Sequence, residues 1–410
     1  MSYQKYAPSN IVISFGNNNY NQTSHENLNI IMTPRIIYSL LNKKIKKIFS
    51  GYDYNFVIDE NNKIYSWGLN LDGQCGNNDK KIITCITEIE IEDLEKEEKI
   101  IHIKCGKNAT FFISNEDKIY HCGYNLTTKE KITKPKKIKF FFEKEKIIQI
   151  EIGEKFWLFL TALGNVYIYN DEGENDQIKK GKKDNNDNNN EPKEVIRNIQ
   201  LISCGYNHYF ALDKNNVLFG FGENNRGQLG LDDNNVNKSI IIPKRIVLNN
   251  EIDNIFCGKD YTIFHTNKKE ILVCGKNEEG ELGIGKEVYS KDLNNNNCIK
   301  PKKIEQFFNL EIIKVSCGEN NCVAMVRDST TKIVNVWSWG SNKKGQLGLG
   351  SNIENSKPKL IPALLEYINH LPIDVTCGKN HCLVLLKKKD EINIDNNKIL
   401  NDLITKYNKF

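Results

Sequence analysis

At 410 residues, 39% of them hydrophobic and 27% charged, the chain exceeds the ~250–300 residues at which single cores stop growing, so it divides into domains or builds its core in repeating layers. No apolar run approaches the ~18 residues of a membrane helix, and a net charge of +5 is small beside that of a dedicated nucleic-acid binder; neither a membrane nor a nucleic-acid role is expected. The opening MSYQKYAPSN lacks the basic lead and apolar core of a secretory leader, and the 12 cysteines include no CxxC pair, so a reduced compartment, cytoplasmic or nuclear, is expected.

In chain order, the same elements recur. After an extension over 1–10, IVISFGNN (11–18) reads as a strand ending in glycine, and Pro34-Arg35-Ile36 begins another. KIFSG then ends at Gly51 and IYSWG at Gly68, with a hairpin at Asn61-Asn62 between them; the pattern returns as IHIKCG to Gly106 and IYHCG to Gly123. IQIEIG ends at Gly153, followed by FWLFL (156–160), a hairpin at Gly164-Asn165, VYIYN to Asn170 and a polar low-complexity loop over 173–191. IQLISCG (Gly205), IDNIFCG (Gly258), IIKVSCG (Gly318) and PIDVTCG (Gly378) repeat the first landmark, and LFGFG, ILVCG and VWSWG the second. The tail, 389–410, carries ILNDLITKY (399–407) at helical spacing and is expected to pack on the body as a short helix.

The seven landmark glycines stand 47 to 60 residues apart, and each unit reads as four short antiparallel strands. Second strands such as FWLFL and CLVLL (382–386) are apolar without alternation, which requires a cover on both faces. These features predict an all-β fold, a seven-bladed β-propeller with four-stranded blades, over 11–388. HCLVLL after Gly378 has no third or fourth strand behind it, so the N-terminal strands must complete the C-terminal blade and close the ring. Six of the 9 prolines recur at one repeat position, at Pro34, Pro135, Pro192, Pro243, Pro301 and Pro358, where they are expected to begin the edge strand, with neighbouring lysines guarding that edge.

Cys105, Cys204, Cys257, Cys317 and Cys377 share one position before glycine and read as small core fillers rather than metal ligands; Cys322 and Cys382, five residues further on, stand close enough across the hairpin to pair under oxidation. No metal, cofactor or catalytic constellation is expected, and the chain does not read as an enzyme. Function is left to the junction loops after each landmark glycine, which open on one face near the axis. CGYNH (204–208), CGKNH (377–381), SWG (338–340) and GQLG (227–230 and 345–348) together resemble the regulator-of-chromosome-condensation repeat family.

That resemblance implies a loop face that meets a protein, in its exchange-factor members a Ran-like small GTPase whose nucleotide is released with the help of acids in the second and third loops, histidines in later ones and an inserted β-wedge. Here the second loop offers Lys107, the third Glu154 and Lys155, and the fifth Asp260 and Tyr261; only His381 matches directly, and no wedge-length insertion separates Tyr124 from Pro135. The expected function is therefore a monomeric, non-enzymatic interaction scaffold for a protein partner, such as a small GTPase, a chromatin factor or a ubiquitin-pathway factor. Guanine-nucleotide exchange on a Ran-like GTPase is the alternative. The expected partner-binding face comprises Tyr54, Lys107, Glu154, Lys155, His208, Asp260, Tyr261 and His381, the histidines reading more readily as bonded within their own blades than as acting on a ligand.

Overall fold

Short β-rich runs broken by asparagine and glycine turns form seven four-stranded antiparallel sheets. The computed structural model describes residues 8–138, 145–170, 192–231, 239–286, 297–307 and 310–389. We number the blades from the sheet that begins at Ile45. There, Ile45–Ser50 is innermost, Tyr54–Asp59 and Ile64–Gly68 follow, and Ile83–Ile89 is the outer edge. Hairpins between second and third strands turn at Asn62, Gly164 and Asn216 with φ of 66°, 89° and 61°, the left-handed conformation that asparagine and glycine accept most readily.

Second strands are buried at every residue in Tyr54–Asp59, Ala109–Ser114 and Phe156–Thr161, because a neighbouring blade covers each face. The interblade core is aromatic and repetitive. Phe56 meets Phe112 edge-on at 5.4 Å, and Phe210 meets Phe264 at the same distance in the equivalent interface, an arrangement worth roughly 0.5–1.5 kcal/mol beyond burial. Inner strands contact one another around the whole ring, the seventh against the first included.

Closure follows the sequence-based expectation. Asn10–Asn17 pairs with His381–Lys388 from Asn10↔Lys387 to Gly16↔His381, and Ile30–Ile36 forms the outer edge of that blade. The turn joining the two N-terminal strands proves to be a disguised copy of the GQLG turn. Asn21 (φ 59°) and Ser24 (φ 57°) occupy the left-handed positions held elsewhere by glycines such as Gly73 and Gly76. Asn18 Oδ1 accepts the Thr23 amide at 2.9 Å, as Asn70, Asn224 and Asn342 accept those of Cys75, Leu229 and Leu347 at 2.7, 2.9 and 3.0 Å.

One expectation needs correction. Most of the repeated prolines do not begin the edge strand; Pro34, Pro135, Pro243, Pro301 and Pro358 lie inside it. The ladder shifts register beside each of them, because a bulge in an outermost strand is where a residue without an N–H costs no ladder bond. The loop expected at 173–191 and the helix expected at 399–407 lie outside the described residues. Among the described residues, no helix is long and apolar enough to cross a membrane.

Candidate functional site: the junction-loop face

Each first strand ends at a glycine because the chain doubles back there beneath a large side chain. A Cβ on Gly205 would stand 2.2 Å from His208 Cε1, and one on Gly378 2.1 Å from His381 Cε1. The third residue of each loop is thereby folded inward. Tyr54, His208, Tyr261 and His381 are all fully buried and do not reach the face on which partner contact was expected.

These four residues join neighbouring blades instead. His381 Nε2 donates to Asn55 Oδ1 at 2.8 Å, and Asn55 Nδ2 donates back to the Gln22 carbonyl at 2.7 Å. His208 Nε2 lies 3.0 Å from Thr262 Oγ1, which donates to the Gln228 carbonyl at 2.7 Å. Tyr54 packs 2.9 Å from Thr110, which donates to the Gln74 carbonyl, and Tyr261 sits 3.2 Å from Cys322, whose thiol faces the Glu281 carbonyl. Asn321, Cys382 and Gln346 repeat the arrangement. Five interfaces thus share one link, from loop residue to the next blade's second strand and back to the turn carbonyl. Between the second, third and fourth blades it gives way to aromatic packing, Phe111 on Trp157 at 4.9 Å and Phe156 on Tyr209 at 4.6 Å. The histidines are structural, but their partners lie in the adjacent blade. Burial pushes both imidazoles down to about 3, so they are neutral linkers.

The face itself is made by the first residue of each loop: Tyr52, Lys107, Glu154, Tyr206, Lys259, Glu319 and Lys379. Main-chain bonds run from loop to loop around the axis: Tyr52 N to Gly106 O (3.1 Å), Glu154 N to Tyr206 O (2.8 Å), Tyr206 N to Lys259 O (3.4 Å), Lys259 N to Glu319 O (3.3 Å), Glu319 N to Lys379 O (3.0 Å) and Lys379 N to Tyr52 O (2.7 Å). The remaining step is spanned by the Lys107–Glu154 ion pair at 2.8 Å. Glu319 is shared by Lys259 at 2.9 Å and Lys379 at 3.4 Å. Tyr52 and Tyr206, from the first and fourth blades, meet at 5.5 Å and roof the central channel. Lys379 lies 4.8 Å and Lys107 5.8 Å from the centre of the Tyr52 ring, and Lys259 5.4 Å from that of Tyr206, within cation–π range.

Electrostatics follow from this pairing. The hydrogen bond from Lys107 holds the Glu154 carboxyl below its usual range, and that to Glu319 raises Lys259. Burial lifts Asp53 to about 6 despite Lys379 nearby, and lifts Asp260 as well. Of the eight residues expected on the face, Lys107, Glu154, Lys155 and Asp260 reach it. Tyr52, Tyr206, Lys259, Glu319 and Lys379 were missed. For Lys259, Glu319 and Lys379 the signal was the alternation of opposite charges at one repeat position, and for Tyr52 and Tyr206 the recurrence of tyrosine there. Beneath the roof lies a channel of about 890 Å³ lined by the inner strands, with Lys104 bonded to Glu151 at 2.8 Å and Lys314 to Asp374 across neighbouring blades.

Residues 11–384 match the family model of the RCC1-like domain. The chain belongs to the RCC1-like family. This RCC1-like ring is 24% identical over 394 residues to the ultraviolet-B receptor UVR8 of Arabidopsis thaliana, covering 90% of the chain and 83% of the receptor. It is 29% identical over 357 residues to the X-linked retinitis pigmentosa GTPase regulator of Canis lupus familiaris, covering 82% of the chain but only 32% of that protein. Among solved structures, yeast RCC1 (Prp20), crystallised bound to Kap60, superposes with a TM-score of 0.81 at 21% identity, over 98% of this chain and 93% of that one. Human WBSCR16 superposes at 0.72 with 16% identity, over 93% and 99%. These superpositions show the fold.

Proposed function

We propose that this RCC1-like ring is a non-enzymatic protein-interaction scaffold whose junction-loop face docks a protein partner. The observation that carries the reading is the crown of seven loop-leading side chains on a ring of loops joined by six main-chain bonds and the Lys107–Glu154 ion pair. Its backbone is fixed by neighbouring loops, so a partner meets a surface that costs little ordering on binding. It combines tyrosines with paired lysines and glutamates, and tyrosine is a side chain enriched where interfaces concentrate their energy. A structure of Prp20p from Saccharomyces cerevisiae is described together with binding to Gsp1p and histones, and protein partners of that kind are the class proposed here.

Nucleotide exchange fits the crown poorly. The third loop's Glu154 is engaged by Lys107, the very residue that stands where an acid is wanted, and His381 is sealed between blades. Release of labelled GDP from a Ran-type GTPase tests this. The scaffold reading expects no acceleration. A rise of about a hundredfold, roughly 2.7 kcal/mol of barrier, would replace it with the exchange-factor reading.

A further inference from the structure

The junction hairpin of the seventh blade carries a thiol on each arm. Cys377 and Cys382 are direct partners in the ladder, and their Sγ atoms lie 3.1 Å apart. The last bond across the hairpin is Gly378 N to His381 O at 2.8 Å, while Cys377 N turns away and donates to Ser316 Oγ at 2.9 Å. The two cysteines therefore form a non-hydrogen-bonded pair, the kind with Cα atoms about 4.5 Å apart, which falls within the roughly 4.4–6.8 Å a disulfide spans. The sixth blade repeats this with Cys317 and Cys322, more widely set at 3.9 Å. Cys377 lines the channel, whereas Cys382 is fully buried.

We propose that Cys377 and Cys382 are a redox modification site, a dithiol that closes to a disulfide with hydrogen peroxide admitted through the channel. The Cys377 thiol releases its proton to water, and its thiolate attacks one peroxide oxygen, forming an S–O bond as the O–O bond breaks and hydroxide leaves. Cys382 Sγ then attacks the sulfenic sulfur, and its proton departs with the displaced hydroxide as water. In sum, two thiols are oxidised to one disulfide while one peroxide is reduced to two waters. Cys377 faces the channel and Cys382 is sealed behind it, its thiol pushed up by burial, so access assigns the first step to Cys377 and the second to the buried partner. The closed bond withdraws the Cys382 thiol from the Gln346 carbonyl, now 3.5 Å away, and fixes the loop that carries Lys379.

Lys379 lies between the two cysteines, so trypsin reads the bond directly. Folded protein is treated with peroxide, alkylated before unfolding, and digested without reductant. The expected product is peptide 360–379 linked to peptide 380–387, two hydrogens lighter than the separate pair and released by dithiothreitol; Cys382→Ser should abolish the link and leave Cys377 as a dimedone-reactive sulfenic acid. The proposal is overturned if both peptides stay separate and reduced at a peroxide dose that oxidises the exposed Cys85, or if the link appears only after unfolding.

Discussion

His381→Ala tests whether the loop histidines are linkers. The side chain is fully buried, covers Gly378 and donates to Asn55 at 2.8 Å, while Asn55 Oδ1 retains a second bond from Ser50 Oγ at 2.7 Å. Truncation removes one buried hydrogen bond and leaves a cavity between the first and seventh blades, together costing about 3 kcal/mol. The loss is read as a drop in urea midpoint at pH 7.5. Its pH dependence is diagnostic. Burial holds His381 down at about 3 from 6.5, so on acidification the unfolded chain takes up the proton first. The stability that wild-type His381 contributes is present above about pH 6.5 and lost on the way down to 3. Two pH units of that window are worth about 2.7 kcal/mol, so the penalty of the alanine should fall below about 1 kcal/mol at pH 4.5. A penalty under roughly 0.5 kcal/mol at pH 7.5, or one independent of pH, would refute the linker role.

Three further outcomes are expected. Deleting residues 1–37 removes two strands of the closing blade, including the fully buried Ile13 and Phe15; the ring should lose its cooperative thermal transition by circular dichroism, and a protein that merely melts a few degrees lower would argue against closure. Ser24→Gly should raise stability by about 0.5–1 kcal/mol in urea, since φ there is 57° and glycine bears that conformation without strain. Gly227→Ala should cost at least about 2 kcal/mol in the same assay, because φ is +77° and the new Cβ would stand 2.6 Å from Ile299 Cα of the next blade.

The architecture was legible because each blade restates it. Landmark glycines, hairpin asparagines and unalternating second strands are local signals, and seven divergent copies supplied the check that a single copy lacks. The last turn was harder to see, since Asn21 and Ser24 hide the glycine spacing that marks GQLG. The proline position misled because a bulge, which only pairing reveals, lets proline sit within an edge strand. Interblade links were illegible for a plainer reason: His381 and Asn55 are separated by 326 residues, and nothing in either loop names the other. On the functional face, six of the eight expected residues stand at second or third loop positions, and Lys107 and Glu154 stand at the first. The crown is built at the first, where the alternation of lysine and glutamate between neighbouring blades becomes meaningful only once those blades are known to touch.

If the crown meets a protein partner, reversing its charge should weaken that contact while the ring stays folded. Wild-type ring and the Lys259→Glu/Lys379→Glu variant would be compared by affinity capture with mass spectrometry, followed by titration of any partner held by the wild type. The expected result is a partner bound at least about tenfold more weakly by the variant, about 1.4 kcal/mol, with the unfolding free energy in urea changed by no more than about 1 kcal/mol. Equal binding of every captured partner by the two proteins would contradict it.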